Sequence, residues 1–412
     1  MTVPNLRFKF DDHLKEISLS EVGRFYGGLS GKKKDDFGVG NSKFITYMNV
    51  LINAIAKRDM CESVNVGAQE KQNAVVSGDV IFTQSSETAE EVGMASVWIH
   101  HFNVYLNSFS FGFRLFDKKG IDPVYLAYLM RSHAYRKKIS MQAQGISRYN
   151  LSSSRLSSIK INIPEIREQQ KIAAFFMALD EKIAITEKLL NKAEIISSNI
   201  LAKVYSGDIR FKQADGSSFP GWEKRQLSQL LQFQNGINAS KDKFGSGTKL
   251  ISVKEVLRDF PVTYDSITSS VEVDEKEAQR FSVEYGDVLF QRSSETAEEA
   301  GSANVYLDCR PAVFGGFVIR GKKTTDYQPQ FLKMALRSPA VRQQIVRLAQ
   351  GAQHFNIGQE HISTVEIQFP CLEEQEKIAE LVTAFEDKKA AMLARLNSLQ
   401  RLKQAFMQQM FI

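Results

Sequence analysis

The string SSETAEE occurs twice in this chain of 412 residues, beginning at Ser85 and again at Ser293. The blocks that surround it, 78–97 and 286–305, agree at 14 of 20 positions. Three further blocks recur in the same order, and they begin at Tyr125 and Phe331, at Gln144 and Gln350, and at Glu168 and Glu374. A period of about 200 residues is the size of a domain, so the chain duplicates one large unit and is not a solenoid of short repeats.

Composition limits the classes of protein to which the chain can belong. Hydrophobic residues make up 43% and charged residues 24%, the proportions of a folded globular protein. The net charge of +6 permits an anionic partner without requiring one. Cys61, Cys309 and Cys371 are isolated, which argues against a disulfide framework and a cysteine zinc site. Because no apolar run reaches about 18 residues, we expect a cytoplasmic protein, neither secreted nor inserted in a membrane.

Each copy contains a mixed α/β part. Short β-branched and aromatic runs predict strands, among them GDVIF and FSFGFRLF in the first copy and GDVLF and VFGGFVI in the second. Asp122-Pro123 opens a helix predicted to continue through Ile139, and the second copy has an equivalent helix. Alternating runs that end at Pro164 and Pro370 predict a closing strand in each copy.

After those two prolines the hydrophobic period becomes that of a coiled coil. Apolar residues recur at alternating four- and three-residue steps over about 40 residues in each copy, and Lys389 and Lys403 interrupt the second seam. Helices of about 60 Å need a partner, so we expect the two to pack against each other. The predicted seam comprises Ile172, Phe176, Leu179, Ile183, Leu190, Ile200 and Val204 in the first helix and Ile378, Val382, Phe385, Met392, Leu396, Leu399 and Phe406 in the second.

These features predict an α+β fold with internal pseudo-two-fold symmetry. Two similar α/β domains are separated by a pair of long antiparallel coiled-coil helices, because duplicated units pack most simply about a two-fold axis. The predicted boundaries are 1–163 for the first domain, 164–206 for the central helix, 207–369 for the second domain with 207–222 as its connector, and 370–412 for the C-terminal helix.

The sequence carries no catalytic motif that its spacing supports. It has no GxGxxG after a strand, no GxxxxGK[ST] phosphate loop and no Asn-Pro-Pro-Tyr methylation motif. His100 and His101 are adjacent, and adjacent strand residues face opposite sides, so a metal pair is not expected there. We therefore expect neither catalytic residues nor metal ligands in this chain, and a role in binding.

Polar loops at equivalent positions of the two copies are candidates for binding nucleic acid. Lysines on loops can meet phosphates, and Arg, Asn, Gln and Ser can read base edges. The candidates are Lys32, Lys33, Lys34, Gln84, Ser85, Ser86, Arg148, Tyr149 and Asn150 in the first copy, and Lys241, Lys243, Arg292, Ser293, Ser294, His354, Phe355 and Asn356 in the second. A solvated lysine run and a helix capping box within SSETAEE are alternative interpretations of the same residues. Discrimination between sequences is expected where the copies differ.

Four motifs occur together in each copy: the GDV strand with SSETAEE, the QG loop that ends in Asn150 or Asn356, the strand that ends in proline, and the helix start EQ(Q/E)KIA. This combination resembles the specificity (S) subunits of type I restriction-modification systems, over essentially the whole chain. The resemblance implies a non-catalytic subunit in which each target-recognition domain reads one half of a bipartite DNA target. The helix pair would set the separation of the two halves.

The resemblance also implies partners. They are double-stranded DNA, two modification subunits and restriction subunits, with S-adenosylmethionine, Mg and ATP bound by those subunits and no cofactor bound by this chain. The expected docking face for modification subunits comprises Arg167, Glu168, Gln169 and Lys171 and their counterparts Glu373, Glu374, Gln375 and Lys377. Two alternatives are a coiled-coil scaffold that holds protein partners without sequence-specific DNA binding, and a self-sufficient methyltransferase, which would need cofactor motifs that the sequence lacks.

Overall fold

A computed structural model describes residues 6–8, 14–117 and 120–411. The chain divides into two compact units, a first unit of Met1–Glu187 with Arg395–Ile412 and a second unit of Lys188–Ala394. Each unit contains one mixed α/β part together with segments of both long helices. In the part of the chain that the structure describes, no helix is long and apolar enough to cross a membrane.

Short strands and helices make up the first mixed part. The strands are β1 (Lys15–Ser18), β2 (Gly23–Gly27), β3 (Phe37–Ile45), β4 (Cys61–Val64), β5 (Val80–Thr83), β6 (Ser85–Ser86), β7 (Ala95–Val97), β8 (Tyr105–Leu106), β9 (Ser110–Leu115), β10 (Tyr149–Asn150) and β11 (Lys160–Ile163). The helices are α1 (Leu19–Val22), α2 (Tyr47–Ile52), α3 (Pro123–Arg131), α4 (His133–Ser140) and α5 (Ser153–Ser157), followed by the long helix α6 (Ile166–Tyr205). The sheets have the orders β2-β9-β5-β7, β4-β3-β8, β1-β11 and β6-β10.

The second mixed part repeats this topology. Its strands are β12 (Glu223–Gln226), β13 (Leu231–Asn235), β14 (Phe244–Ile251), β15 (Ser269–Val271), β16 (Val288–Gln291), β17 (Ser293–Ser294), β18 (Ala303–Val305), β19 (Val313–Phe314), β20 (Val318–Lys323), β21 (Phe355–Asn356) and β22 (Glu366–Phe369). Its helices are α7 (Val253–Val256), α8 (Glu275–Arg280), α9 (Pro329–Arg337), α10 (Pro339–Leu348) and α11 (Gln359–Ser363), followed by the long helix α12 (Leu372–Met410). The orders β13-β20-β16-β18, β15-β14-β19, β12-β22 and β17-β21 match those of the first part strand for strand, which confirms the duplication.

The helix predicted over 123–139 is two helices in the structure, so that prediction was wrong about its continuity. Ser132 separates α3 from α4 with an extended backbone at φ −68° and ψ 152°. The second copy breaks in the same place, at Ser338, because Pro339 disfavours the helical conformation for the residue before it. The predicted closing strands are present as β11 and β22, each in an antiparallel pair with the first strand of its copy.

The two long helices are continuous over 40 and 39 residues, and every residue of the predicted seam is buried or half-buried. Within the first unit, Phe175 of α6 meets Phe406 of α12 edge-on, with ring centroids 4.9 Å apart. Phe176 stacks on Phe411 at 5.5 Å. Asp180, further along α6 than Phe175, pairs with Lys403, which precedes Phe406 on α12, so the helix segments in this unit run antiparallel.

The lysines that interrupt the seam have acidic partners. In the second unit, Nζ of Lys389 lies 2.9 Å from carboxylate oxygens of both Glu194 and Asp259. In the first unit, Lys403 forms an ion pair with Asp180. Each ammonium group is therefore compensated where it leaves the apolar seam, which accounts for lysine at these positions.

Two glutamines hold the starts of the long helices in place. Gln169 and Gln375 are fully buried, at 0% and 1% exposure. The side-chain amide of Gln169 donates to the carbonyl of Pro164 at 2.9 Å, and that of Gln375 donates to Pro370 at 2.8 Å. The prolines that end the closing strands are thereby joined to the first turn of the helix that follows.

The neighbouring glutamates are also buried, in ion pairs with arginine. Nε of Arg7 donates to Glu168 at 3.0 Å in the first unit, and Nε of Arg210 donates to Glu374 at 3.1 Å in the second. The expectation that these glutamates and the adjoining glutamines form an outer docking face is therefore wrong. The Glu-Gln pair recurs because both side chains are buried with partners. A buried carboxylate without a partner would lower the stability of the fold.

The N-terminal segment and the connector play equivalent roles in their own units. In the first unit, the N–H of Leu6 donates to the carbonyl of Gln409 near the end of α12, at 3.1 Å. In the second unit, the N–H of Ile209 donates to Lys203 near the end of α6, at 3.0 Å. Residue 6 of the chain thus lies beside the end of the last helix.

Candidate nucleic-acid interface

The structure brings the two predicted polar motifs of each copy together in a two-stranded ribbon. In the first unit, β6 pairs with β10 so that Ser86 faces Tyr149 and Ser85 faces Asn150. The second unit repeats this register between β17 and β21. We call β6-β10 the first ribbon and β17-β21 the second ribbon. Each ribbon concentrates hydrogen-bonding side chains from segments that are about 60 residues apart in the chain.

The SSETAEE segment folds back on itself as a rigid turn. The hydroxyl of Ser86 donates to Glu91 at 2.5 Å, and Ser294 donates to Glu299 at 2.9 Å. The residues that follow are turns that lead into the next strand, β7 or β18, so the capping-box interpretation is wrong. The second serine and the last glutamate of the motif therefore serve the scaffold.

A half-buried arginine fixes the far end of each turn. The guanidinium of Arg136 donates to the carbonyls of Glu90 at 2.6 Å and Gly93 at 2.8 Å. In the second unit, Arg342 makes the same contacts with the equivalent carbonyls. Burial lowers the pKa of Arg136 to about 10, so it stays protonated at neutral pH. This explains why the helix block keeps its second arginine in both copies.

The QG loops are closed hairpins that present their tips to solvent. Backbone N–H and C=O groups of Gln144 and Asn150 bond to each other at 2.9 and 2.8 Å. Gly145 has φ +133°, and a Cβ there would lie 2.0 Å from the carbonyl oxygen of Arg148, which requires glycine. The second loop has the same geometry, with Gly351 at φ +143°. The loops thus expose Arg148 in one unit and His354 in the other.

The ribbon candidates differ in accessibility. Exposed side chains are Gln84, Arg148, Asn150, His354 and Asn356. Half-buried side chains are Ser85, Tyr149, Arg292, Ser293 and Phe355, and the buried ones are Ser86 and Ser294. The side chains that differ between the copies therefore lie on the QG loops, where Arg148 corresponds to His354, and just before the ribbons, where the exposed Gln84 corresponds to the half-buried Arg292.

The lysine candidates separate into a paired group and an exposed group. Lys32 has a side chain only 5% exposed, and its Nζ bonds to Glu70 and to the carbonyl of Asn65, both at 2.5 Å. Lys33 and Lys34 are exposed, as are the two lysines of the second copy, Lys241 and Lys243. In both copies these lysines precede a bulge in β3 or β14, so they project from equivalent loops.

An exposed phenylalanine beside each ribbon was not predicted from the sequence. Phe109 is 53% exposed and Phe317 is 69% exposed. The carbonyl of Phe109 accepts from the N–H of Gln84 at 2.8 Å, and that of Phe317 accepts from Arg292 at 2.8 Å. Their spacing in the sequence could have indicated them, because Phe109 and Phe317 are 208 residues apart, as are the two SSETAEE strings.

A cleft of about 480 Å³ adjoins the first ribbon. Its lining combines apolar side chains with the ribbon's polar ones, and burial raises the pKa of Tyr47 within it. The lining residues are Tyr47, Met48, Leu51, Ser85, Ser86, Glu87, Glu91, Phe109 and Arg148. Among the described residues, no group of three or more His, Cys, Asp or Glu side chains is placed to hold a metal ion.

Comparison with known proteins identifies the family. The model of the type I restriction modification DNA specificity domain matches residues 12–194 and matches again at 220–401. The chain belongs to this family. The resemblance inferred from the motifs is therefore confirmed, and so is the α+β fold with two similar recognition domains.

Relatives in the specificity-domain family are distant in sequence. The type I restriction enzyme StySPI specificity subunit of Salmonella potsdam is 25% identical over 229 residues, which cover 54% of this chain and 48% of that protein. The EcoKI specificity subunit of Escherichia coli strain K12 is 23% identical over 272 residues, covering 64% of this chain and 58% of that protein. The chain thus matches about half of the length of these relatives.

A crystal structure shares the fold over the full length. The S subunit of a type I restriction-modification system from M. genitalium has a TM-score of 0.61 with 14% sequence identity, covering 100% of this chain and 99% of that one. At this identity the similarity shows the fold alone.

Proposed function

We propose that this chain is the non-catalytic DNA-specificity subunit of a type I restriction-modification complex, acting in the cytoplasm. Each unit reads one half of a bipartite target in double-stranded DNA. The single observation that carries the proposal is the repetition of the ribbon. Both units hold the same backbone framework and differ in the side chains that it presents, the exposed Gln84 and Arg148 in one, the half-buried Arg292 and the exposed His354 in the other.

The exposed groups on the ribbons suit the reading of base edges. Arginine recognises guanine through two hydrogen bonds in the major groove, and asparagine and glutamine recognise adenine. Asn150 and Asn356 are exposed at equivalent positions, whereas the arginines are not at equivalent positions. The two half-sites are therefore expected to share some features and to differ in sequence. Lys33, Lys34, Lys241 and Lys243 supply the sequence-independent attraction to phosphates.

The long helices are proposed to set the separation of the half-sites and to bind two modification subunits. Of the predicted docking residues, Arg167, Lys171 and Glu373 are exposed and Lys377 is half-buried, but the Glu-Gln pairs between them are buried, so we place the docking face further along the helices. In the second unit, α6 exposes Leu189 at 51%, Ile195 at 61% and Ile196 at 56%. Leu189 and Ile196 are seven residues apart and share one face of the helix, so they suit an apolar partner helix. Restriction subunits complete the proposed complex, and S-adenosylmethionine, Mg and ATP are bound by the partner subunits.

The test is to express the chain with its modification subunits and to select bound duplexes from a random DNA pool. The expected result is a bipartite consensus with a fixed spacer, and methylated adenines within that consensus in cellular DNA. Arg148→Ala should alter the consensus in one half only, because Arg148 belongs to one ribbon. A pool that remains random after selection, at moderate salt, would support a protein scaffold instead.

A further inference from the structure

Two phenylalanines occupy the same solvent-exposed place in the two units. Phe109 and Phe317 lie immediately before β9 and β20 and expose 53% and 69% of their surface. The cores already contain many phenylalanines, among them Phe82, Phe113 and Phe290, all at 0% exposure. Single exposed apolar side chains are common, but these two rings recur at one place of the repeated unit, each beside a polar ribbon, and that recurrence points to a ligand.

Backbone hydrogen bonds fix each phenylalanine relative to its ribbon. The residue that precedes the ribbon donates its N–H to the phenylalanine carbonyl at 2.8 Å in both units. In the first unit, the N–H of Phe109 also donates to Oδ1 of the buried Asn107 at 3.0 Å. The guanidinium of Arg148 lies 5.9 Å from the ring centroid of Phe109. The ring is therefore held beside the exposed polar groups of the ribbon.

The neighbours of the ring indicate which part of DNA it meets. Arginine and asparagine side chains such as Arg148 and Asn150 match the donor and acceptor pattern of the major groove, where all four base pairs are distinguishable. The apolar group on base edges in that groove is the 5-methyl group of thymine. Met48, 51% exposed in the cleft next to Phe109, extends the apolar surface.

We propose that Phe109 and Phe317 each contact the 5-methyl group of a thymine, in the half-site that its own unit reads. This inference rests on the proposed function and specifies one base, a thymine, in each half-site. In the first unit, the thymine lies next to the base that Arg148 contacts, since the guanidinium and the ring are neighbours.

The experiment replaces single thymines by deoxyuridine, which removes only the methyl group. The full chain is used in complex with its modification subunits, on the duplex obtained by selection. With each thymine replaced in turn, binding is followed by fluorescence anisotropy. One replacement in each half-site should raise Kd about threefold to fivefold, the effect of one buried methyl group. Phe109→Ala should weaken binding to the thymine duplex and abolish the effect of deoxyuridine in the first half-site only.

Matched variants separate the contact from a folding defect. Phe116→Ala is the control, because Phe116 is 66% exposed and follows the far end of β9, whereas Phe109 precedes its start. It should leave the deoxyuridine effect unchanged. Phe317→Ala should abolish the effect in the other half-site, and Phe109→Leu should keep part of the effect in the first.

The outcomes distinguish this inference from the function on which it rests. A random pool without a consensus overturns the proposed function and the inference together. A bipartite consensus in which no deoxyuridine effect depends on Phe109 or Phe317 overturns the inference and leaves the function standing. Base unstacking next to Phe109, detected with 2-aminopurine fluorescence and without a methyl effect, would also overturn it, because the ring would then act as a wedge.

Discussion

At the residue scale, each ribbon combines side chains that hold the scaffold together with side chains that face solvent. Ser85 and Ser86 are adjacent in the string, yet only Ser86 is tied to Glu91 and buried. Which side chain of a two-residue strand faces inwards depends on its partner β10, and so short a strand carries no periodic signal. Phe109 was missed for a related reason, because exposed and buried aromatic residues look alike in a sequence.

The exposed lysines of the first unit give a prediction about non-specific binding to DNA. Replacing both Lys33 and Lys34 by alanine should weaken binding about equally on all sequences, since exposed lysines contact phosphates. The association constant should also depend less on salt. The slope of its logarithm against the logarithm of the salt concentration should decrease in magnitude by about two, because each phosphate that a lysine neutralises contributes about 0.9 to that magnitude. Anisotropy titrations at several salt concentrations measure it.

Lys32→Ala is the control for that prediction. Its ammonium group already bonds to Glu70 and Asn65, so this change should lower the melting temperature and leave the salt slope unchanged. A loss of affinity confined to one target base in the Lys33 and Lys34 variant would contradict the phosphate role and assign base reading to these lysines.

At the element scale, the repeated topology is the reason that so much of the fold followed from the sequence. Duplicated blocks identified strands β5 and β16, the closing strands and both long helices before any contact was known. The break between α3 and α4 was missed because proline marks it in only one copy, at Pro339. The polar helix starts were assigned to the surface because a repeated Glu-Gln pair does not reveal that Arg7 and Arg210 cover it.

A buried lysine on α9 gives a prediction about stability. Lys333 has a fully buried side chain whose Nζ lies 2.7 Å from Glu386 of α12, and burial lowers the pKa of Lys333. Glu386→Ala should cost about 3 kcal/mol of unfolding free energy, because it leaves a buried ammonium unpaired. The double variant Lys333→Met with Glu386→Leu should be nearly neutral. The equivalent residue of the first unit is Ala127, which shows that the fold accepts an apolar side chain there.

Urea denaturation of the single and double variants measures these differences, and its pH dependence checks the pKa. The pKa of Lys333 in the folded protein is below its ordinary value of 10.5, so the unfolded chain binds more protons between the two values. The stability of the native protein relative to Lys333→Met should therefore rise with pH between those two pKa values. A double variant as unstable as Glu386→Ala would contradict the pairing argument.

At the scale of the whole molecule, the proposed function makes helix length a determinant of the target. Deleting one heptad from the middle of α6 and one from the middle of α12 keeps the seam in phase and shortens each helix by about 10 Å. The spacer between half-sites should then shorten by about three base pairs, with both half-sites unchanged. Mapping methylated adenines measures the spacer.

Deleting four residues from each helix is the matched control, because it shifts the seam out of phase. That variant should lose stability in thermal denaturation and should lose the spacer preference as well. An unchanged spacer in the heptad variant, with DNA still bound and methylated, would show that the helices do not set the distance.

The hydrogen bond between Leu6 and Gln409 brings the two ends of the described chain side by side within the first unit. A rearranged gene that starts at the connector, continues to residue 411 and then joins residue 6 through a short linker would encode the same two units in the opposite order. We expect such a permuted protein to keep its folding cooperativity. Under the proposed function, each unit of the permuted protein would still read its own half-site.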